Sequence, residues 1–86
     1  MMVAVPSQLR DYTGGNAQVE ARGATLAELL ADLDRRYPGV RFRMIDEQDR
    51  IRRHIRIFVN QVQASDLDAA LGANDEVVIV GALSGG

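Results

Sequence analysis

Cysteine is absent from this 86-residue chain, and histidine occurs once, at His54. There is therefore no disulfide framework, no thiol nucleophile and no Cys/His set for zinc, and no metal site is expected. Lysine is missing too: all ten basic residues are arginine, so the chain has no ε-amino group with which to build lysine-linked polymers of itself. Tryptophan is absent, and two Phe and two Tyr are the whole aromatic complement. With a formal net charge of −2, this is not the basic, aromatic-studded composition of a nucleic-acid platform, and no nucleic-acid partner is expected. No run approaches the roughly 20 apolar residues of a membrane span, and the N-terminus lacks the basic segment and apolar core of a signal peptide. The chain is expected to be soluble and cytoplasmic, with no membrane partner; the missing thiols fit a reducing compartment.

What is present fits one domain. A chain of this length buries only about 60% of the surface it exposes when unfolded, enough for one helix packed on one sheet. Charge is unevenly placed, for eight of the ten arginines lie between Arg35 and Arg56, including the run RIRRHIR at 50–56. Asp46, Glu47 and Asp49 are the acidic residues interleaved with them. Such a run is first of all a solvated or partner-facing strand.

MMVAVPSQL places Val3 and Val5 on one face of a short strand, with Pro6 admissible at an edge or bulge. RDYTGGNAQ supplies a loop in which Gly14, Gly15 and Asn16 tolerate positive φ, and AQVEA at 17–21 alternates and returns as the second strand of a hairpin. The Gly-Gly pair is turn chemistry, because no Gly-Lys-Ser/Thr follows to make a phosphate loop. Thr25 with Glu28 three residues on is a capping box. Leu26, Leu29, Leu30, Leu33 and Tyr37 recur at helical spacing, so a helix over 25–37 carries one apolar stripe and ends at Pro38-Gly39.

Residues 40–53 show no sustained period; Phe42 and Ile45 are candidates for packing one helical turn, and 46–49 reads as a turn. HIRIFVN at 54–60 alternates, with Ile55, Ile57 and Val59 inward and His54, Arg56 and Phe58 outward. Asn60-Gln61 is a turn, DLDAAL at 66–71 a short helical connection, GAND at 72–75 another turn, and EVVIV at 76–80 the last strand. In that strand Val77 and Ile79 share one face and Val78 and Val80 the other. The order predicts an α+β fold, a mixed sheet with one main helix across one face and the last strand central beside the first. Phe58, Val78 and Val80, with Arg56 beside them, then form a partner-docking patch on the open face.

These features together resemble the ubiquitin-like β-grasp sulfur carriers of the MoaD/ThiS family over essentially the whole chain. The residues that carry the resemblance are the opening strand, the leucine-striped helix, IFVN at 57–60, NDEVVIV at 74–80 and the terminal Gly85-Gly86. VPSQLRDYTGG and YPGVRFRMIDE are most similar to the branch that serves cysteine biosynthesis. Departures are Gln61 where a glycine often follows Val-Asn, Asn74 where the turn often has Gly, and GALS where the tail often holds proline.

The resemblance implies a β-grasp domain over 1–80 and a flexible tail over 81–86 ending in Gly-Gly. It implies a carrier that is not itself an enzyme and binds no cofactor. A ubiquitin-activating-type adenylyltransferase would use ATP to adenylate Gly86, and a sulfur donor protein would convert the adenylate into a thiocarboxylate. Leu83 and Gly85 would be read in the tail. The sulfur would pass to an accepting synthase, either the molybdopterin synthase large subunit or a cysteine synthase, with thiamin thiazole as a third product. An extended six-residue tail reaches roughly 20 Å, and without Cβ atoms Gly85 and Gly86 pass a narrow channel. Two other readings stand beside it: a protein modifier joined through Gly86 to target lysines, and an interaction domain whose tail is inert.

Overall fold

The computed structural model describes residues 1–81. Strand β1 (Met2–Ala4) leads through a 3-10 turn (Ser7–Leu9) into β2 (Gln18–Glu20), helix α1 (Leu26–Arg36) and the short helix α2 (Val40–Met44). The hairpin β3 (Ile55–Val59) and β4 (Val62–Gln63) follows, then β5 (Val77–Gly81). The five strands form one sheet in the order β2-β1-β5-β3-β4. Only β1 and β5 are parallel, Val3 beside Val77 and Ala4 beside Val78; the other neighbours are antiparallel. The last strand is thus central beside the first, as the element order predicts.

Alternation decides which face is covered. Val3, Val19, Ile55, Ile57, Val77 and Ile79 are buried and meet Leu26, Leu29, Leu30 and Leu33 of α1 in one core. Fully burying a leucine contributes about 1.5–3 kcal/mol, so the stripe accounts for the helix docking as it does. Its N-terminus is closed by the predicted cap: the Glu28 amide donates to Thr25 Oγ1 at 3.2 Å. The Glu28 carboxylate reaches one residue further back than a standard capping box, accepting from the Ala24 amide at 3.0 Å.

Residues 66–71 are not the expected helical connection. The Leu67 and Ala69 carbonyls accept from the Ala27 and Leu26 amides, each at 2.9 Å, and the Leu71 amide donates to the Ala24 carbonyl at 2.9 Å. These carbonyls satisfy the orphan amides in the first turn of α1, and a helix over 66–71 would have drawn them into its own ladder. Pro6 likewise is not at an edge, since β1 lies between β2 and β5. It follows the strand and precedes the 3-10 turn, where its carbonyl accepts from the Leu9 amide at 3.0 Å.

Phe42 does not pack inward. Helix α2 buries Val40 and Met44, one helical turn apart, which turns Phe42 outward with 55% exposure. Ile45 is buried as expected, but in extended backbone just past the helix. Gly14 and Gly15 adopt φ of 65° and 87°, whereas Asn16 is not among the positive-φ residues.

Asp32, which the stripe leaves on the polar side, is instead buried. It accepts from the Arg22 amide at 2.9 Å and from Arg36 Nε at 2.9 Å, and pairs with Arg35. The Arg22 amide above all, with both guanidinium groups, holds its carboxyl below the usual aspartate range, against the opposing effect of burial. A depressed folded pKa means stability that is present above the unfolded value and lost as pH falls through the folded one. Asp32→Asn is therefore expected to lower Tm at neutral pH, with the gap to the parent closing from about pH 4 downward. Thermal melts across that range check this, and a gap independent of pH would refute it.

Asn60 and Gln61 both have positive φ, 50° and 72°, the signature of a two-residue hairpin turn whose twist matches its strands. Asparagine adopts this conformation readily and glutamine does not. Gln61→Gly is expected to raise stability by about 0.5–1 kcal/mol after the extra entropy lost by glycine is counted. Urea unfolding measures it; an unchanged or lower midpoint would show that the turn carries no strain.

Candidate functional site: the open sheet face and the end of the last strand

β5 is paired with β3 along its whole length, with Val77 opposite Val59, Val78 opposite Phe58, Ile79 opposite Ile57, Val80 opposite Arg56 and Gly81 opposite Ile55, and with β1 at Val77 and Val78. Its entry is also fixed. The Asn60 amide donates to the Glu76 carbonyl at 2.8 Å, and the Glu76 amide donates to Asn60 Oδ1 at 2.9 Å. Asp75 closes the preceding turn by accepting from the Gly72 amide at 2.7 Å, which with Asn60 holds its carboxyl below the usual range. The strand runs to Gly81, where its last pairing is with Ile55 of β3. Leu83, Gly85 and Gly86 lie outside the described residues; Gly81 continues the strand one residue beyond the expected domain limit.

The face away from α1 is uncovered. Cross-strand register lines up Gln18, Ala4, Val78, Phe58 and Gln63 in one row over all five strands. Phe58 and Val78 are half-buried in that row, and Arg56 is exposed one step along. Val80 is 40% exposed and Met2 51%. All four residues singled out from the alternation, Arg56, Phe58, Val78 and Val80, therefore share this face, on the two adjacent strands β3 and β5. Met2 belongs with them and was missed, because β1 was read only for its inward residues Val3 and Val5 and the alternate position was not followed out to the open face.

A second feature adjoins the same strand end and was not legible in the sequence. An open groove of about 400 Å³ is lined by Gln8, Leu9, Phe42, Arg43, Arg52, His54 and Ile55. Gln8 lies so close over the strand end that a Cβ at Gly81 would come within 2.5 Å of its side chain. The Arg52 guanidinium stacks 4.7 Å from the Phe42 ring centroid while its Nε donates to the Phe42 carbonyl at 2.8 Å. Arg43 stands 5.9 Å from the Tyr12 ring centroid.

A model of the ThiS family matches residues 3–86. The chain belongs to the ThiS family. Sulfur carrier protein CysO of Mycobacterium tuberculosis is 34% identical, the match covering 98% of this chain and 96% of that protein. CysO in the Amycolatopsis orientalis BexX/CysO complex superposes with a TM-score of 0.90 at 34% identity, covering 99% of this chain and 98% of that one. The small archaeal modifier protein SAMP1 of Haloferax volcanii has a TM-score of 0.78 at 25% identity, covering 99% and 97%. The expected ubiquitin-like β-grasp architecture is thus the fold of this family member. No helix among the described residues is long and apolar enough to cross a membrane.

Ile79 and Val80 are neighbours on opposite faces, 3% and 40% exposed, and they test the face assignment directly. Val80→Asp is expected to cost no more than about 1 kcal/mol, the span of strand propensity. Ile79→Asp is expected to unfold the domain, since a carboxylate placed in the core finds no partner. Circular dichroism melts distinguish the two, and collapse of the Val80 variant would place that side chain in the core.

Proposed function

We propose that this chain is a sulfur carrier of the CysO/ThiS type, the substrate rather than the catalyst, whose reactive group is the carboxylate of Gly86. A carboxylate is a poor electrophile. An activating enzyme of the ubiquitin-activating type makes it reactive by letting a carboxylate oxygen attack the α-phosphorus of ATP, releasing pyrophosphate and leaving an acyl adenylate. Sulfide, or a protein that delivers it, then attacks the acyl carbon; the C–S bond forms, AMP leaves, and a thiocarboxylate remains. ATP is thus consumed by the enzyme and is not a cofactor of the carrier. The observation that carries the reading is the match over residues 3–86, which takes in both β5 and the terminal Gly85-Gly86.

The fold supports this division of labour. In-line attack requires the carboxylate to be held against the nucleotide inside another protein, and a strand paired out to Gly81 leaves the remaining residues to enter that site. Glycine at 85 and 86 keeps the end slim, and Leu83 provides one apolar grip. Phe58, Val78 and Val80, with Arg56, form the docking face for the activating enzyme and for the synthase that accepts the sulfur. The CysO of the BexX/CysO complex is a whole-length relative found in complex with another protein. Among the acceptors, a cysteine synthase is favoured over the molybdopterin synthase large subunit, because the whole-length curated relatives are CysO proteins.

The likeness to SAMP1 favours a second use, conjugation of Gly86 to lysines of other proteins. Self-conjugation through lysine is chemically closed, since the chain has none. The remaining amine, the N-terminal ammonium of Met1, donates to the Ala21 carbonyl at 2.9 Å.

Incubation with the cognate activating enzyme, ATP and sulfide is expected to exchange one oxygen for sulfur on Gly86, read by mass spectrometry of the final peptide. Deleting Gly86, or adding one residue after it, should abolish the product with Tm unchanged, and Gly85→Val should impair it by widening and stiffening the tail. The folded Val80→Asp variant should raise KM for the enzyme. No sulfur product from the unsubstituted chain would mean an interaction domain with an inert tail, and conversion of the extended form without trimming would remove Gly86 from the chemistry.

A further inference from the structure

The groove beside Gly81 has no role in the chemistry above, yet its composition is specific. Among the described residues, the ion pairs are Arg35 and Arg36 with Asp32, and Arg41 with Asp49. Arg43 and Arg52, in the groove wall, form no ion pair among the described residues, although, behind the Arg50 and Gln48 amides, the charge of Arg52 helps to hold the Asp46 carboxyl below its usual range. Both guanidinium groups stand over aromatic rings, Arg52 over Phe42 and Arg43 over Tyr12. Stacking holds the planar group in place while leaving N–H edges for a planar acceptor, and a fork so arranged binds a carboxylate in bidentate fashion at little entropic cost. His54 and Gln8 complete the lining with further polar groups.

Position supplies the second argument. Ile55, opposite Gly81 in the register, lines the groove, and Gln8 bridges from the groove onto Gly81 itself. The five residues after Gly81 reach at most about 18 Å when extended. Any protein that holds the carboxylate of Gly86 in its interior must therefore bring its surface against this end of the sheet. Facing it there are unpaired arginines on a chain that is acidic overall, so attraction is local to the groove.

We propose that this groove is a docking surface for an acidic segment of the activating enzyme, its Asp or Glu carboxylates received by Arg43 and Arg52 next to the mouth through which the tail enters. The inference rests on the reading that Gly86 is adenylated inside that enzyme. It adds an ionic clamp on one side of the tail root to the apolar contact on the other, and it acts on encounter and orientation rather than on the chemical step.

The test uses the whole chain and the activating enzyme that charges it, with KM and kcat for adenylation measured at about 20 mM and about 500 mM salt. Arg43→Glu is expected to raise KM about tenfold at low salt with kcat within about twofold, and most of the difference should vanish at high salt. Arg52→Gln should give a smaller rise of the same kind. Arg22→Glu, on the far side of the molecule, changes net charge equally and should leave KM within about twofold. A KM for Arg43→Glu that matches Arg22→Glu, or a rise that salt does not reduce, overturns the inference while leaving the Gly86 reading intact. Failure of the unsubstituted chain to be adenylated overturns both. Retardation of the unsubstituted chain, but not of Arg43→Glu, by a short single-stranded oligonucleotide with KM unchanged would assign the groove to nucleic acid instead.

Discussion

Because β1 and β5 run parallel at the centre of the sheet, with Val3 beside Val77 and Ala4 beside Val78, the first and last strands cannot be joined by a tight turn. The chain between them must cross over the sheet on its way from one half to the other. Helix α1 is that crossover, and its leucine stripe covers one face of the sheet as it passes. The hairpin β3-β4 forms the far half, and it pairs with the remaining edge of β5 along all five of that strand's residues. Were the first strand paired with any other neighbour, the last would sit at an edge, and the residues after it would leave from a margin instead of a fixed centre.

The two faces of that central strand divide the buried core from the open face. Val77 and Ile79 hold the domain together, while Val78 and Val80 lie on the open face and contribute less to the core. The arginines follow the same division at a larger scale. Arg22 through its amide, with Arg35 and Arg36, ties Asp32 into the helix side of the molecule, whereas Arg43, Arg52 and Arg56 gather around the end of β5 and form no ion pair among the described residues. A net charge of −2 conceals this local excess.

Local periodicity made α1, β3 and β5 legible in the sequence, and the open-face residues Phe58, Val78 and Val80 with them, because a period of 2 or 3.6 is written into consecutive side chains. The parts that were not legible depend on distant backbone. β4 has two residues, too few to show alternation. DLDAAL has helical composition, yet Leu67 and Ala69 give their carbonyls to a helix forty residues earlier in the chain. Asp32 looks solvated until the Arg22 amide reaches it. The groove at Gly81 required three separate segments to meet, the 3-10 turn, α2 and the loop before β3, and no pattern within any of them announces the others.

The reciprocal hydrogen bonds between Asn60 and Glu76, and the central place of β5, carry a consequence for synthesis. A ribosome makes the middle of this sheet last. Until residue 77 has emerged, β1 with β2 and β3 with β4 are two separate ribbons with no strand between them, and the leucines of α1 have only half a surface to lie on. Isolated two-stranded ribbons are marginal in water, so the domain closes in one late step that joins residues more than seventy positions apart, a slow and non-local event. A product cut short before β5 therefore lacks the strand that joins the two ribbons, and the sheet can close only once translation has passed the residues of β5.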